Sequence, residues 1–271
     1  MSDDAVRTSA VSWLTDRVRL ILAPNPSPMT LEGTNTYLIG DDRSLIVMDP
    51  GPDDDGHIAS IEAAVAGANV STILLTHKHI DHAEVAERCA ELFDAPIASN
   101  DGPRRKGDRA VVEGDRIDGL TAVATPGHSS DHLCFVLEGE RTLFSGDHIL
   151  GRGTTVVAHP DGDMGEYFAS LERLRGLALD RIFPGHGPVI ADPKAVIEEY
   201  IEHRHMRERQ VVDGLRVAVE PVTPEELVAS IYADVDPVLH PVAAMSVRAH
   251  LAKLAREGRA VQDDGERWRP S

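Results

Sequence analysis

One short segment of the sequence carries several side chains of the kinds that bind metal ions. Residues 75–82 contain four potential ligands close together, namely His77, His79, Asp81 and His82. The segment follows an apolar run typical of a buried strand and precedes a helical pattern. In an extended chain, side chains two positions apart face the same way, so His77 and His79 can converge on one ion. As the chain turns into the helix, Asp81 and His82 point elsewhere and could serve a second ion.

The ligand types in this segment indicate which metals it suits. Imidazole and carboxylate groups favour zinc(II), with iron or manganese as alternatives. A histidine-rich loop can also be a plain polar turn. Four ligand-type residues at this spacing, directly after a strand, favour a metal site over that interpretation.

Three later residues fit the same site. His128, Asp147 and His186 each follow an apolar run that reads as a strand, and each is bordered by glycine. Strand ends hold side chains rigidly, and glycine lets the backbone approach closely. Each residue alone could be an ordinary turn residue, but together with His77–His82 they favour a metal site.

The elements that position these residues read as a layered domain. Strand patterns occur at residues 18–22, 36–39, 45–48, 71–75, 110–112, 120–124, 134–137, 142–144 and 181–183, and helical patterns at 58–66, 83–93 and 165–177. Helices mixed with both hairpin and crossover connections predict sheets covered by helices, an α/β or α+β domain.

The pattern of predicted elements changes after residue 193, from mixed strands and helices to mainly helices. Residues 194–212 predict one long, charge-rich helix, and residues 224–232 and 243–257 predict two more. An Asp-Gly turn at residues 264–265 lies between two short strand candidates, 259–262 and 266–269. Helices followed by a small hairpin describe a winged-helix module. The expected domains are therefore 1–213 for the catalytic part and 214–271 for the winged helix.

Composition and charge narrow the class of protein. Acidic side chains outnumber basic ones 45 to 27, which argues against tight binding of nucleic acid through its phosphates. The two cysteines, Cys89 and Cys134, follow no metal-ligand pattern and are expected to be buried free thiols. Residues 1–10 contain no apolar signal core, and no window is apolar enough to cross a bilayer. We therefore expect a cytoplasmic protein that does not bind membranes.

The ordered set formed by residues 77–82, His128, Asp147 and His186 resembles the motif signature of the metallo-β-lactamase superfamily. Asp49, after residues 46–48, matches that superfamily's first motif, an acid that supports the ligands. The resemblance implies a four-layer αββα fold of the α+β class, followed here by the small winged-helix-like domain. It also implies two divalent metal ions, most simply Zn²⁺, with Fe or Mn as alternatives.

The resemblance also assigns the ligands. His77, His79 and His128 would hold the first metal, Asp81, His82 and His186 the second, and Asp147 would bridge them. A hydroxide shared by two ions about 3.5–4 Å apart would be the nucleophile. Asp81 would orient it and handle a proton, and is the candidate catalytic residue. The aspartate at position 147, where the true β-lactamases with a mixed site carry cysteine, favours the hydrolase side of the superfamily.

A narrower resemblance covers nearly the whole chain. Residues 25–37, 153–156, 184–190 and the C-terminal segment 224–257 are similar to the β-lactamase-like protein 2 family. One departure lies beside the metals, where Ala83, Glu84 and Val85 stand at positions that carry small glycines in many relatives. This departure weakens the transfer of a substrate from the family.

Three classes of function follow. The leading expectation is a metallo-hydrolase of small-molecule esters, thioesters or lactones. The alternative is a single-strand-specific endoribonuclease, which the narrower resemblance implies, with basic clusters at residues 104–109 and 203–209 as contacts for single-stranded RNA. Acidic residues interleave both clusters, so each can instead be a solvated polar face. The third class, a non-catalytic protein with structural metals, fits poorly because structural zinc sites are usually closed and rich in sulfur.

Overall fold

The computed structural model describes residues 10–41, 43–233 and 235–271, which form two compact units. The first unit contains the described residues up to 124 together with 131–153 and 179–192. The second contains residues 125–130, 154–178 and 193–271. Within the described residues, no helix is both long and apolar enough to span a membrane.

The first unit is built on two β-sheets. The larger sheet has seven strands in chain order: β1 (Val11–Trp13), β2 (Val18–Leu22), β3 (Asn35–Asp41), β4 (Ser44–Met48), β5 (Val70–Leu74), β6 (Ile97–Ser99) and β7 (Arg109–Ala110). Strands β1 to β4 pair antiparallel, and β4 to β7 pair parallel. Its helices are α1 (Asp55–Val65), α2 (Ile80–Ala83) and α3 (Ala86–Leu92).

The smaller sheet has five strands. They are β8 (Arg116–Ile117), β9 (Leu120–Ala124), β10 (Leu133–Leu137), β11 (Thr142–Gly146) and β12 (Arg181–Pro184), in the order β12-β11-β10-β9-β8. Strands β11 and β12 run parallel, so the chain leaves both at the same edge of the sheet.

Two apolar layers hold the first unit together. One lies between the sheets, where Ile39 and Met48 of the larger sheet share a buried cluster with Phe135, Phe144 and Phe183 of the smaller. The other joins the opposite face of the larger sheet to α1 and α3. Alternate side chains of a strand face opposite sides, so one strand serves both layers: Val47 belongs to the helix layer and Met48 to the layer between the sheets.

Two expected elements differ from the structure. The strand expected at residues 110–112 is β7, at Arg109–Ala110. The helix expected at residues 83–93 covers only α3, because α2 ends at Ala83 and the helix is interrupted at Glu84 and Val85. The carbonyl of His82 accepts a hydrogen bond from the Gly51 N–H, and the Val85 N–H donates to the Gly51 carbonyl. These long-range bonds replace helical ones, so the chain changes direction just after the ligand-rich segment.

The second unit is helical. It comprises α4 (Met164–Arg175), α5 (Pro193–Val217), α6 (Pro224–Ile231), a 3₁₀ turn (Pro237–Leu239), α7 (His240–Arg256) and a hairpin of β13 (Ala260–Gln262) and β14 (Trp268–Pro270). Thr223 caps α6 in a reciprocal capping box with Glu226. The predicted helices and hairpin are confirmed. Helix α5 continues past residue 213, and the domain boundary placed there stays a prediction.

The C-terminal elements share one apolar core. Leu215 of α5, Leu227 of α6, Leu251 of α7 and Trp268 of β14 belong to a single buried cluster. The short hairpin is therefore tied to the helices through its tryptophan, as a winged helix requires. Both cysteines, which lie in the first unit, are buried thiols outside any disulfide, as expected.

Candidate metal centre

Strand ends of both sheets deliver the ligand-type residues of the first unit. Met48 pairs with Leu74 in the parallel β4–β5 ladder, so Asp49 and the residues after β5 emerge at one edge. In the smaller sheet, Phe144 pairs with Phe183, and the chain then reaches Asp147 and His186. The parallel register explains why residues far apart in sequence come together.

Four predicted ligands form one tight group in the first unit. The ligand atoms of Asp81, His82, Asp147 and His186 all lie within 4.8 Å of one another. His82 Nε2 lies 3.2 Å from His186 Nε2 and 3.3 Å from Asp147 Oδ1. His186 Nε2 lies 3.3 Å from Asp147 Oδ1 and 3.2 Å from Asp81 Oδ2. We call this group the Asp81 tetrad.

The Nδ1 atoms of His82 and His186, on the side of each ring away from the tetrad, are held by hydrogen bonds. His82 Nδ1 donates to Asp49 Oδ2 at 2.9 Å, and His186 Nδ1 donates to the Gly33 carbonyl at 3.1 Å. Because Nδ1 of each imidazole is the donor on this side, Nε2 is the nitrogen that faces the tetrad, and it becomes a metal ligand when it gives up its proton. Both Nε2 atoms are therefore presented to the centre of the tetrad as ligands.

Asp49 orients a third histidine through Thr76. Asp49 accepts from the Thr76 N–H at 2.8 Å and from the Thr76 hydroxyl at 2.7 Å. The hydroxyl has a single proton, so His77 Nδ1, 3.0 Å from Thr76 Oγ1, must donate to it. His77 Nε2 then carries no proton and lies 3.0 Å from His79 Nδ1. One buried carboxylate thus sets the tautomers of His77 and His82.

The charges in the tetrad perturb one another strongly. Burial disfavours the charged imidazole, but the carboxylates of Asp147 and Asp49 raise the pKa of His82 well above its usual range. For His186, burial acts in the same way and Asp147 raises the pKa to about 9. Burial opposes ionisation of Asp147, yet His186 and His82 hold its pKa well below the usual range. Without a metal, the anionic carboxylates are therefore balanced by protons on the two imidazoles, and a bound metal cation would take the place of those protons.

Glycine is required where the loops meet at the tetrad. A Cβ on Gly185 would lie 2.5 Å from Asp147 Oδ1 and 2.8 Å from His82 Cε1. A larger residue before His186 would therefore displace two ligands. The glycine borders noted in the sequence have this steric basis.

His128 belongs to the second unit, unlike the other six predicted ligands. It lies in the turn of residues 125–130, and its Nδ1 donates to the Val156 carbonyl at 2.7 Å. The same tautomer argument leaves His128 Nε2 as an acceptor. The structure thus presents Asp81, His82, Asp147 and His186 as one group, His77 with His79 as a pair, and His128 in the second unit with its Nδ1 held by the Val156 carbonyl.

Several supporting residues escape prediction from the sequence. Thr76 holds Asp49, Thr34 Oγ1 donates to the Asp81 carbonyl at 3.0 Å, and His132 Nε2 accepts from the Asp147 N–H at 3.2 Å. Asn35 Nδ2 donates to the carbonyls of Pro184 and Gly187 on either side of His186. Thr34 and Asn35 lie in the segment 25–37 that carries the family resemblance, which is a signal for them. Thr76 and His132 have only their nearness to ligands in sequence.

Some arginines of the two basic clusters are engaged within the fold. Arg104 pairs with Asp101 at 3.2 Å, and Arg105 donates to the Glu87 carbonyl. In the other cluster, Arg204 is 2% exposed, and Arg207 stacks on the Tyr232 ring with its Cζ 4.1 Å from the centroid. Arg204 and Arg207 are thus engaged within the fold, while His205 and Arg209 of the same cluster are exposed.

Comparison with known proteins agrees with this architecture. The model of the metallo-beta-lactamase superfamily matches residues 29–107 and 90–186, and that of the beta-lactamase associated winged helix domain matches residues 223–268. The chain belongs to the metallo-beta-lactamase superfamily. It is therefore a hydrolase of that superfamily with a C-terminal winged helix, and the predicted fold is confirmed.

Individual relatives refine this placement. The chain is 37% identical over 262 residues to the beta-lactamase-like protein 2 homolog of Caenorhabditis elegans, covering 92% of this chain and 87% of the relative, which confirms the narrower resemblance. It is 37% identical over 216 residues to an atrochrysone carboxyl ACP thioesterase of Aspergillus fumigatus, covering 76% and 67%. A beta-lactamase domain protein from Burkholderia ambifaria shares the fold at a TM-score of 0.82 and 21% identity, covering 100% of this chain and 96% of that one.

Proposed function

We propose that this protein is a dinuclear metal-dependent hydrolase that cleaves thioesters or related small-molecule esters and lactones. The observation that supports the proposal best is the Asp81 tetrad, in which two imidazole nitrogens and two carboxylates converge with their partners already set. In the proposed assignment, His77, His79 and His128 hold one metal, Asp81, His82 and His186 the other, and Asp147 joins both.

The donor atoms of the tetrad fit a small divalent cation. With metal–ligand bonds near 2.1 Å, two ligands of a tetrahedral site lie roughly 3.4 Å apart. The separations of 3.2 and 3.3 Å among His82, His186 and Asp147 are close to that value. Nitrogen and carboxylate oxygen without sulfur suit zinc, and also iron or manganese.

The chain's own residues prepare the site for hydrolysis. Bound divalent metals would supply an activated water at neutral pH and polarise the substrate's carbonyl. Asp49 and the Gly33 carbonyl fix the orientation of the two imidazoles, so metal binding would release the Nε2 protons without turning either ring. Asp81 is the most exposed carboxylate of the tetrad, with 26% of its side chain accessible, against 11% for Asp147. It is the tetrad's best-placed group for receiving a proton from the reacting water.

A groove in the first unit suits an acyl chain. It has a volume of about 330 Å³, and its lining includes Leu20, Leu22 and Pro188, with the Arg152–Glu32 ion pair also in its wall. Gly187, next to His186, contributes to the same wall. The thioesterase named among the relatives acts on an acyl carrier protein, and we extend the acyl-thioester class to this chain on that basis.

The deciding experiment compares substrate classes on metal-reconstituted protein. Acyl-thioesters, esters and lactones form one arm and single-stranded RNA the other. Asp81→Ala and His82→Ala are measured beside Asp16→Ala, a surface aspartate of the first unit. We expect thioester turnover to fall more than about 100-fold in the first two variants, because losing a metal ligand should cost more than the roughly 10–100-fold lost with a residue that supports a ligand. Turnover in the third variant should be unchanged. RNA cleavage that needs Asp81 and His82, without thioester turnover, would refute the proposed substrate class.

A further inference from the structure

A buried arginine in the second unit contacts the segment that orients His128. Arg204 of α5 is 2% exposed, and its Nη2 donates to the Thr155 carbonyl. Its Cζ also lies 5.2 Å from the centre of the Tyr167 ring, which is fully buried. Burying a cation is costly unless its partners are well placed, so an arginine here calls for a role.

Both contacts of Arg204 bear directly on His128. The segment that includes Thr155 also supplies the Val156 carbonyl, which accepts from His128 Nδ1 at 2.7 Å. Thr155 Oγ1 lies 3.2 Å from the same nitrogen. On the other contact, Tyr167 packs against Gly127, where a Cβ would lie 2.4 Å from the Tyr167 Cα. Arg204 therefore contacts the residue before the His128 acceptor and the tyrosine whose backbone packs against Gly127.

The turn that carries His128 is tied down along its length. Ser170 Oγ donates to the Pro126 carbonyl, and the Asp163 N–H donates to the Gly127 carbonyl, both at 2.8 Å. Ser130 Oγ donates to Asp161 at 2.7 Å. The backbone of the turn thus has supports of its own. Arg204 instead holds the Thr155 carbonyl. That contact helps to place the next carbonyl, of Val156, which selects the tautomer of the His128 imidazole.

The winged helix also contacts this segment. Ser246 of α7 accepts from the Val157 N–H at 3.4 Å, and Arg256 of α7 forms a two-nitrogen pair with Asp163, the cap of α4. The winged-helix domain therefore supports residues 155–163 from within the same unit. These contacts go to the Val157 N–H and to the Asp163 carboxylate.

We propose that Arg204 is a positioning residue that holds the Thr155–Val156 segment so that His128 presents Nε2 to a metal ion. The proposal rests on the assignment of His128 as a ligand in the proposed function. It gives the buried arginine a task in metal binding that is separate from nucleic-acid recognition.

The test is a zinc titration against a competing chelator with four proteins: wild type, His128→Ala, Arg204→Met and Arg209→Met. Arg209 is an exposed arginine of the same helix and serves as the matched control. We expect two equivalents in the wild type and one weakened by more than 100-fold in His128→Ala. Arg204→Met should weaken that equivalent about 10–100-fold, as outer-shell changes do, and Arg209→Met should leave it unchanged.

The outcomes separate this proposal from the proposed function. Two equivalents in the wild type and one affected by His128→Ala support the ligand assignment, and Arg204→Met then decides the role of the arginine. Wild-type affinity in a folded Arg204→Met protein would overturn that role. If His128→Ala binds zinc like the wild type, the ligand assignment itself is wrong.

A second readout excludes a merely structural effect. Nitrogen-15 NMR of labelled histidine in the metal-free protein should find the His128 proton on Nδ1 in the wild type and divided between both nitrogens in Arg204→Met. Where Arg204→Met does not fold, Arg204→Lys replaces it. Lysine keeps the charge but lacks the planar fork that reaches the carbonyl and stacks on the ring. Unchanged zinc affinity and an unchanged tautomer in Arg204→Lys would overturn the proposal.

Discussion

Replacement of Asp49 by asparagine tests the claim that one carboxylate sets the tautomers of two ligands. Its two oxygens accept from the Thr76 N–H, the Thr76 hydroxyl and His82 Nδ1. Asparagine keeps the shape but has only one oxygen, so its NH₂ group must face one of these sets of donors. Each of the two amide orientations has a distinct cost.

In one orientation, the NH₂ group meets the Thr76 N–H. Two buried donors then face each other, which costs about 1–3 kcal/mol of folding free energy. In the other orientation, it donates toward Thr76 Oγ1 and His82 Nδ1. The imidazole protons of His82 and His77 would then move to Nε2, and metal affinity should fall about 10–100-fold, or about 1.4–2.8 kcal/mol.

The assay combines urea unfolding of the metal-free protein with chelator competition for zinc. Asp54→Asn is the matched control, since Asp54 caps α1 by accepting from the His57 N–H and asparagine caps helices equally well. We expect the control to match the wild type in both measurements. An Asp49→Asn protein with wild-type stability and wild-type affinity for both zinc equivalents would refute the tautomer argument.

Three further predictions follow from other parts of the molecule. Burial lowers the pKa of His57 to about 4, so its neutral form is favoured in the fold. Its contribution is complete above the unfolded pKa of about 6.5 and is lost as the pH falls toward 4. The unfolding free energy of the wild type should therefore lose about 2 kcal/mol more than that of His57→Gln between pH 7.5 and 5.0; equal losses in urea titrations would contradict this. Gly127→Ala forces a Cβ against Tyr167 at a φ of +138° and should cost about 2–4 kcal/mol, while Gly139→Ala, at a φ of +85° with open space around it, should cost less; similar melting temperatures for the two variants would argue against the packing described here. Leu22→Asp should raise the KM for hexanoyl thioesters about tenfold or more and leave acetyl thioesters unchanged, because each buried methylene contributes about 0.8 kcal/mol; Leu92→Asp, an exposed leucine of α3, is the control, and a loss independent of chain length would exclude the groove.

The sequence predicts those parts of the fold whose pattern is local. Strand β2 occupies the expected residues 18–22, and β9 the expected residues 120–124, because apolar or β-branched runs bounded by turns decide them. Strands β6 and β8 were not predicted. They have three and two residues, too short for a period, and only their neighbours in the sheet define them. The break between α2 and α3 likewise depends on hydrogen bonds to Gly51, far away in sequence.

The candidate site follows the same division. His77, His79, Asp81 and His82 were found because ligand types cluster in one segment, and Asp147 and His186 because each follows a strand. Thr76 has no such mark, since its role arises only when its hydroxyl meets Asp49 in the fold. The sequence places Arg204 in a basic cluster that could also be a solvated polar face, and only the structure reveals that its side chain is buried. Roles that depend on a partner distant in sequence were the ones missed.

The most direct test of the dinuclear assignment is a crystal structure of zinc-reconstituted protein with anomalous data collected at the zinc edge. Two peaks in the anomalous map are expected. One should contact Nε2 of His82 and Nε2 of His186, and the other should contact Nε2 of His77 and Nδ1 of His79, with Asp147 touching both. A fully active crystal with no peak at the Asp81 tetrad would contradict the account.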